Sequence, residues 1–404
     1  MFRIKTLTIE QIIVILFSAL PIVDSVNGIL IDAGIGAFGT MYKFLLLGVL
    51  LLFALRNGII SRNAVLFTLL ALAYLGFTIA VNILVLGGRM LNTDYPVKLL
   101  FNILTFALLV TCVRGGSLDG DSLYRILNNN AWLMIFMILI PKALGLGSTM
   151  YSTGLGYKAF FYSNNELSIS LIILFYFSLY RITQKISLTR IIQLMGMAVC
   201  VLLLNTKSGM IACLLGCALF VMEYMFRRES RFRGLVFLAL CFSLYISQDF
   251  LIEQIDSFME RQTYLYNLYG GSFLDTFLSG RTFKLETSWM ELKQSAGYGF
   301  RIFFGNGFCS ASLVEMDFID IFFYLGAFGV TSLIAFLGYI FFSGFKNFRA
   351  DRTLMRPLGF LVVVGFAFLA GHVFFMATAG CYFVLLCCFC LMYKPSAPKI
   401  QTTR

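Results

Sequence analysis

The chain is a succession of apolar runs about 18 to 23 residues long, separated by short charged turns, and this pattern restricts its fold more than any motif does. A helix needs about 20 residues to cross a hydrocarbon core of about 30 Å, and inside lipid every backbone polar group must be satisfied within the span. The runs are too long for the alternating strands of a membrane β-barrel. Composition agrees: of 404 residues 59% are hydrophobic and 13% charged, where soluble domains carry roughly 25% charged residues. The pattern therefore predicts an all-α integral membrane protein of about twelve transmembrane helices. They fall near 9–31, 41–55, 63–86, 96–113, 124–145, 163–180, 190–205, 208–226, 234–248, 315–343, 357–375 and 377–393. The first run lacks the small-residue cleavage site of a signal peptide and reads as a retained helix. Residues 1–404 read as a single polytopic domain without linker or low-complexity tract. An inverted-repeat transporter fold stays open here, because such repeats often leave no mark in the sequence.

The net charge of +11 follows membrane orientation and not a nucleic-acid partner. With a cytoplasmic N-terminus, the inside turns hold twenty of the 31 Lys and Arg residues: Arg3, Lys5, Arg56, Arg62, Arg114, Arg125, Arg181, Lys185, Arg190, Arg227, Arg228, Arg231, Arg233, Lys346, Arg349, Arg352, Arg356, Lys394, Lys399 and Arg404. Only Glu10, Asp119, Asp121, Glu223, Glu229 and Asp351 among the acids fall on that side. Both termini are thus expected in the cytoplasm, and carboxylates gather at the outer mouth. The ten cysteines, nine of them in or beside apolar runs, show no disulfide framework or zinc spacing.

One long polar interval, Gln248 to Val314, interrupts the pattern, with a loop taken as 249–314 between the ninth and tenth helices. Within it Ser279-Gly280-Arg281 precedes Leu285, Trp289 and Leu292 at helical spacing, which predicts a helix on the membrane face with Arg281 at its start. The next run opens on Glu315, Asp317 and Asp320, and a helix places Asp317, Asp320 and Tyr324 on one face while Glu315 points elsewhere. Asp320 is expected about a turn and a half inside, where loss of water suits a carboxylate to general-base work; the plainer reading is a helix start favoured by the dipole. Asn205-Thr206-Lys207-Ser208-Gly209 reads as a tight outer turn able to hold an anionic group, or as a charged turn only. Tyr157, Lys158, Tyr162, Asn164, Asn165 and Glu166 lead into the sixth helix with an aromatic, amide-rich face of the kind that binds sugars. Arg89 and Asp94 occupy the preceding outer loop. Lys43, Lys98 and Lys142 read as interfacial anchors that snorkel, and His372 as a packed or interfacial residue near the outer end of the eleventh helix.

The pattern resembles the membrane polymerases and ligases of bacterial surface polysaccharides, the O-antigen polymerases in particular. Asn164-Asn165-Glu166 looks like that family's Asn-rich helix start, and Thr206-Lys207-Ser208-Gly209 like its Ser-Arg-Gly hairpin with Lys for Arg. Ser279-Gly280-Arg281, Trp289, Gly305-Asn306-Gly307 and the acidic helix start through Gly326 and Gly329 follow the order around its major loop. The histidine typical of the ligase branch is missing in or just after this loop, and no Arg and Gly ten residues apart extend from Arg261, Arg281 or Arg301.

The resemblance implies a metal-independent, cofactor-free glycosyltransferase at the periplasmic face of the bacterial inner membrane. It would join undecaprenyl-pyrophosphate-linked oligosaccharide units, with a chain-length regulator as a further partner. Under it Arg281, Lys207, Arg89 and Lys158 would meet the pyrophosphate, and Asp317 or Asp320 would act as base beside Arg281. Tyr162, Asn164, Asn165, Glu166 and Trp289 would meet glycan. The rival expectations are a ligase delivering glycan to a lipid A core and a repeat-unit flippase, although charges crowd the mouth and not the middle of the helices.

Overall fold

The structure, a computed structural model, describes residues 8–36, 38–91, 93–149, 156–226, 248–310, 313–351, 353–370 and 372–392. The helix expected at 234–248 lies outside the described residues except for Gln248, as do Arg3, Lys5, Arg227, Arg228, Glu229, Arg231, Arg233, Arg352, Lys394, Lys399 and Arg404 of the orientation count. In chain order the helices are α1 Ile9–Ser18, α2 Leu20–Asp32, α3 Phe38–Arg56, α4 Arg62–Ala80, α5 Asp94–Arg114, α6 Gly120–Ala143, α7 Asn164–Gln184, α8 Leu188–Leu204 and α9 Lys207–Phe226. The polar interval forms α10 Gln248–Leu268, α11 Phe273–Leu278, α12 Arg281–Gln294 and α13 Tyr298–Phe304, followed by α14 Asp317–Asp351, α15 Met355–Ala370 and α16 Ala377–Met392.

Among the described residues seven helices are long and apolar enough to cross a membrane, namely α3, α4, α5, α6, α7, α9 and α14, and eight if α1 and α2 count as one bent span. Three more, α8, α15 and α16, are apolar but shorter than 18 residues. The single first helix expected over 9–31 is instead broken, with α1 and α2 meeting at 51°. Pro21 explains the break, because it has no N–H for the i−4 carbonyl and its ring collides with it. The architecture is all-α as expected, with one small antiparallel ribbon, β1 Ser148–Thr149 and β2 Tyr157–Ala159, ahead of α7. Gly28 lets α2 pass beneath it, since a Cβ there would overlap the Phe160 carbonyl.

The core forms around α7, with 83% of its membrane-length window buried, against 6% for α4. In lipid, such a difference marks α7 as the bundle's axis and α4 as a peripheral helix facing hydrocarbon. Four neighbours, α6, α8, α9 and α15, flank α7, and α16 runs beside both α7 and α5. All nine cysteines among the described residues are free.

Candidate functional site

The polar interval is helical and is fastened to the head of α14. Ser272 caps α11, and Ser279 and Gly280 both take left-handed backbone to turn the chain into α12. Gly280 is required there, because its Cα lies against the Tyr269 ring as well as at positive φ. Arg281 is therefore the first residue of α12, where the Leu285, Trp289 and Leu292 spacing places it. The apolar face of α12 packs through Leu285 and Leu292 on Val314, Met316, Ile319 and Phe323. Trp289 stacks on Phe322 at 6.2 Å and edge-on to Phe323 at 6.4 Å, so much of its ring serves packing.

A second fastening joins the Gly305-Asn306-Gly307 turn to a break in α14. Gly326 has φ 65° and ψ −172°, a conformation essentially confined to glycine, which frees carbonyls of the preceding turn. Asn306 and Gly307 donate their amides to the carbonyls of Phe323 at 2.8 Å and Tyr324 at 3.1 Å. Tyr74 Oη donates to that of Leu325 at 2.5 Å. Asn82, on the π-turn Val81–Val85 that ends α4, donates to Gly305 O at 3.0 Å and accepts from Arg301 Nε at 2.9 Å. The glycines spaced along the sequence thus meet at one joint.

At the head of α14 the charges gather. Arg281 Nε donates to the Glu315 carbonyl at 3.1 Å, and its guanidinium lies 3.6 Å from the Glu315 carboxylate. Lys284 Nζ reaches the other carboxylate oxygen at 2.5 Å. Burial alone would raise the Glu315 pKa, but the Lys284 hydrogen bond and charge, with His372 and Arg281, outweigh it and hold the group below the usual range. On the far side of Arg281, Lys207 Nζ donates to the Thr276 carbonyl and feels the charges of both Arg261 and Arg281. Its hairpin is built as the sequence suggests: Asn205 is left-handed, and Thr206 caps α9 by accepting the Gly209 amide at 3.1 Å. Ser168 ties α7 to this turn through Thr206 at 2.9 Å and Ser208 at 3.3 Å.

The two aspartates differ. Asp320 accepts the Val314 amide at 2.8 Å with one oxygen and the Met316 amide at 3.0 Å with the other, and so holds the approach to α14 in place. Asp317 accepts the amides of Val373 at 2.6 Å and Phe374 at 3.3 Å with one oxygen. Its other oxygen is buried without a hydrogen-bond partner among the described residues. Both side chains are almost wholly buried. Capture of those two amides explains why α15 stops at Ala370 instead of running to 375 as expected.

The short segment His372–Thr378, which runs from beyond α15 into the first turn of α16, becomes a hub. His372 is buried beside Glu315, Arg281, Lys284 and Lys98. Burial lowers its pKa to about 4, Glu315 opposing and the three cations reinforcing the shift. Asn102 of α5 donates to the carbonyls of Phe374 at 2.9 Å and Met376 at 3.1 Å, lying flat on Gly380. The Glu166 carboxylate accepts the Thr378 amide at 3.1 Å. Thr378 Oγ1 in turn donates to Asp24 at 3.0 Å, and Lys43 bonds both Asp24 at 3.1 Å and Thr378 at 2.6 Å.

The remaining expected residues are more scattered. Asn164 and Asn165 open α7 behind the Ser163 cap, with Asn164 Oδ1 buried and unpartnered among the described residues. Tyr162 is exposed, and Lys158 donates to its carbonyl at 3.2 Å. Arg89 is exposed on the turn after α4, whose Gly88 lies against Cys309. Lys98 is ion-paired with Asp94 at 3.8 Å and lies over the Tyr95 ring. Lys142 lies over the Tyr157 ring at 4.9 Å. Lys43 does not snorkel; it is buried in an ion pair with Asp24. The available signal was an acid and a base near one another in two successive apolar runs, a pair that membrane burial penalises unless matched. His372 carried no local signal, because its neighbours at the site come from the polar interval and α5.

No family model matches the chain, and a search of curated proteins finds no match.

Proposed function

We propose that the protein is a polytopic membrane glycosyltransferase that polymerises polysaccharide repeat units carried on undecaprenyl pyrophosphate, at the periplasmic face of a bacterial inner membrane. The observation that carries the reading is a charged cluster drawn from several parts of the chain, in which Arg281 and Lys284 share the Glu315 carboxylate and Lys207 lies near both Arg281 and Arg261. In this reading the chain crosses the membrane about twelve times, as its apolar runs predict, with both termini cytoplasmic and the polar interval outside.

The reaction moves the growing glycan from its pyrophosphate carrier to a hydroxyl of a fresh lipid-linked unit. The anomeric carbon–oxygen bond to pyrophosphate breaks, a bond to the acceptor oxygen forms, and the acceptor proton needs a base. Arg281 and Lys207 offset charge developing on the leaving pyrophosphate, the role that removes most of the barrier in such displacements. Glu315, held ionised between two cations, orients Arg281 and is a poor proton acceptor. Asp317 is the better base, because one of its oxygens is uncommitted while both oxygens of Asp320 hold backbone. Access to Asp317 requires the His372–Phe374 segment to shift. Arg89, Lys158 and Tyr162 supply exposed contacts for pyrophosphate and glycan, and no metal or cofactor takes part.

A second reading rests on His372. The resemblance associates a histidine at the outer loop with ligases, and here the one histidine comes to Glu315 from beyond α15. Supplying both a lipid-linked repeat unit and a lipid A core distinguishes the two, since only a ligase moves glycan to the core. Arg281→Ala should abolish polymer at unchanged membrane level; wild-type glycan lengths in that variant would remove Arg281 from the site.

A further inference from the structure

A cavity of about 520 Å³ opens among α4, α5, α14 and α16, and its walls are almost entirely apolar. Along α14 it extends from Ile321 to Phe336, roughly 20 Å at 1.5 Å per residue. Its side toward α4 is open to the surroundings: Leu70 is 61% and Phe328 59% exposed, where a membrane would lie against them. Leu99, Ile321 and Val373, three residues at one end of it, directly follow Lys98, Asp320 and His372 in the chain. The groove therefore begins where the charged cluster of Arg281, Lys284, Glu315 and Lys98 ends.

We infer that this groove seats the hydrocarbon chain of a polyprenyl diphosphate lipid, whose head enters the cluster on the Lys98 and His372 side of Arg281, not on the Lys207 side. The inference rests on the polymerase reading for the identity of the lipid. Length selects the occupant: a phospholipid acyl chain covers about half of a 30 Å core, roughly 15 Å, whereas the groove continues past that depth. Its entrance favours an anionic head, because three cations, Arg281, Lys284 and Lys98, face two carboxylates there, Glu315 and the exposed Asp94 that pairs with Lys98. The Lys207 hairpin then remains for the second lipid-linked partner, with Arg281 between the two heads.

The test uses purified full-length protein and a long-chain polyprenyl diphosphate without glycan, measured by native mass spectrometry or a displacement assay. Ser332 and Leu70 are exposed to the groove and outside the charged cluster, so Ser332→Trp and Leu70→Trp fill it from two helices without touching buried packing. Each should weaken retention of the lipid about tenfold or more, with unchanged melting behaviour, while Leu214→Trp, exposed on α9 outside the groove, leaves it within about twofold. Equal retention by both folded Trp variants overturns the groove assignment and leaves the polymerase reading standing. A loss in Leu214→Trp that matches the other two Trp variants means the loss is not particular to the groove and also overturns it. If phosphatidylglycerol displaces the polyprenyl lipid with equal affinity, the groove is an ordinary lipid seam. If the wild-type protein binds no polyprenyl diphosphate, the polymerase reading itself falls.

Discussion

Two aspartates three residues apart on one helix do different jobs, and substitution should separate them. Asp320→Asn turns an amide donor toward one of two backbone N–H groups, leaving a buried donor unmet at a cost of about 1–3 kcal/mol, so its melting temperature should fall. Asp317→Asn can keep its oxygen on the Val373 and Phe374 amides and place its nitrogen where no partner is lost. That variant should melt near wild type yet form no polymer; normal polymer would clear Asp317 of the base role. His372 gives a pH dependence whose sign is fixed. Its folded pKa of about 4 lies below the ordinary 6.5, so between these values the unfolded chain binds more protons and stability drops as pH falls. The loss approaches roughly 3 kcal/mol at 1.36 kcal/mol per unit. Melting curves from pH 7 to 4 should show it, and His372→Gln should flatten the slope above pH 5. The candidate residues of the polar interval were legible because polar residues stand out against apolar runs. His372 was not, since its neighbours are fixed only by the end of α15.

The joint between the Gly305 turn and α14 is the most exacting piece of backbone near the site. Gly326→Ala would force an L-residue into a glycine-only conformation and drive Cβ into the Phe303 carbonyl. Strain alone costs about 1–3 kcal/mol, so the variant should melt early and lose activity. Gly338→Ala, on the same helix but facing open space, should instead gain up to about 1 kcal/mol, and scanning calorimetry of the pair checks both signs. Sequence periodicity found α12 and its apolar face because the helical repeat is local. It missed the breaks at Pro21, Gly326 and Ala370, where a ring, a positive φ and a competing carboxylate override apolar continuity.

Across the whole molecule, the buried Asp24–Lys43 pair joins α2 and α3 to the start of α16 and, through Thr378, to Glu166 on α7. Lys43→Met would strand Asp24 in the bundle at a cost of about 3–5 kcal/mol, whereas the double variant with Asp24→Leu should recover most of it. Thermal melts of the three proteins in nanodiscs would reveal that coupling. The number of apolar runs could be read from the chain, but which run lies at the centre could not, because α7, at the centre, is less apolar than the peripheral α4 and only packing reveals its place. In the proposed reading the charged mouth, the hub at His372–Thr378 and the apolar groove form a site for two amphiphiles meeting at Arg281. Its most direct test is to reconstitute purified protein in vesicles with a single undecaprenyl-pyrophosphate-linked repeat unit on the outer-loop side. The account predicts a ladder of longer lipid-linked glycans with release of undecaprenyl pyrophosphate, abolished by Arg281→Ala; substrate recovered unextended, or merely moved across the bilayer, would contradict it.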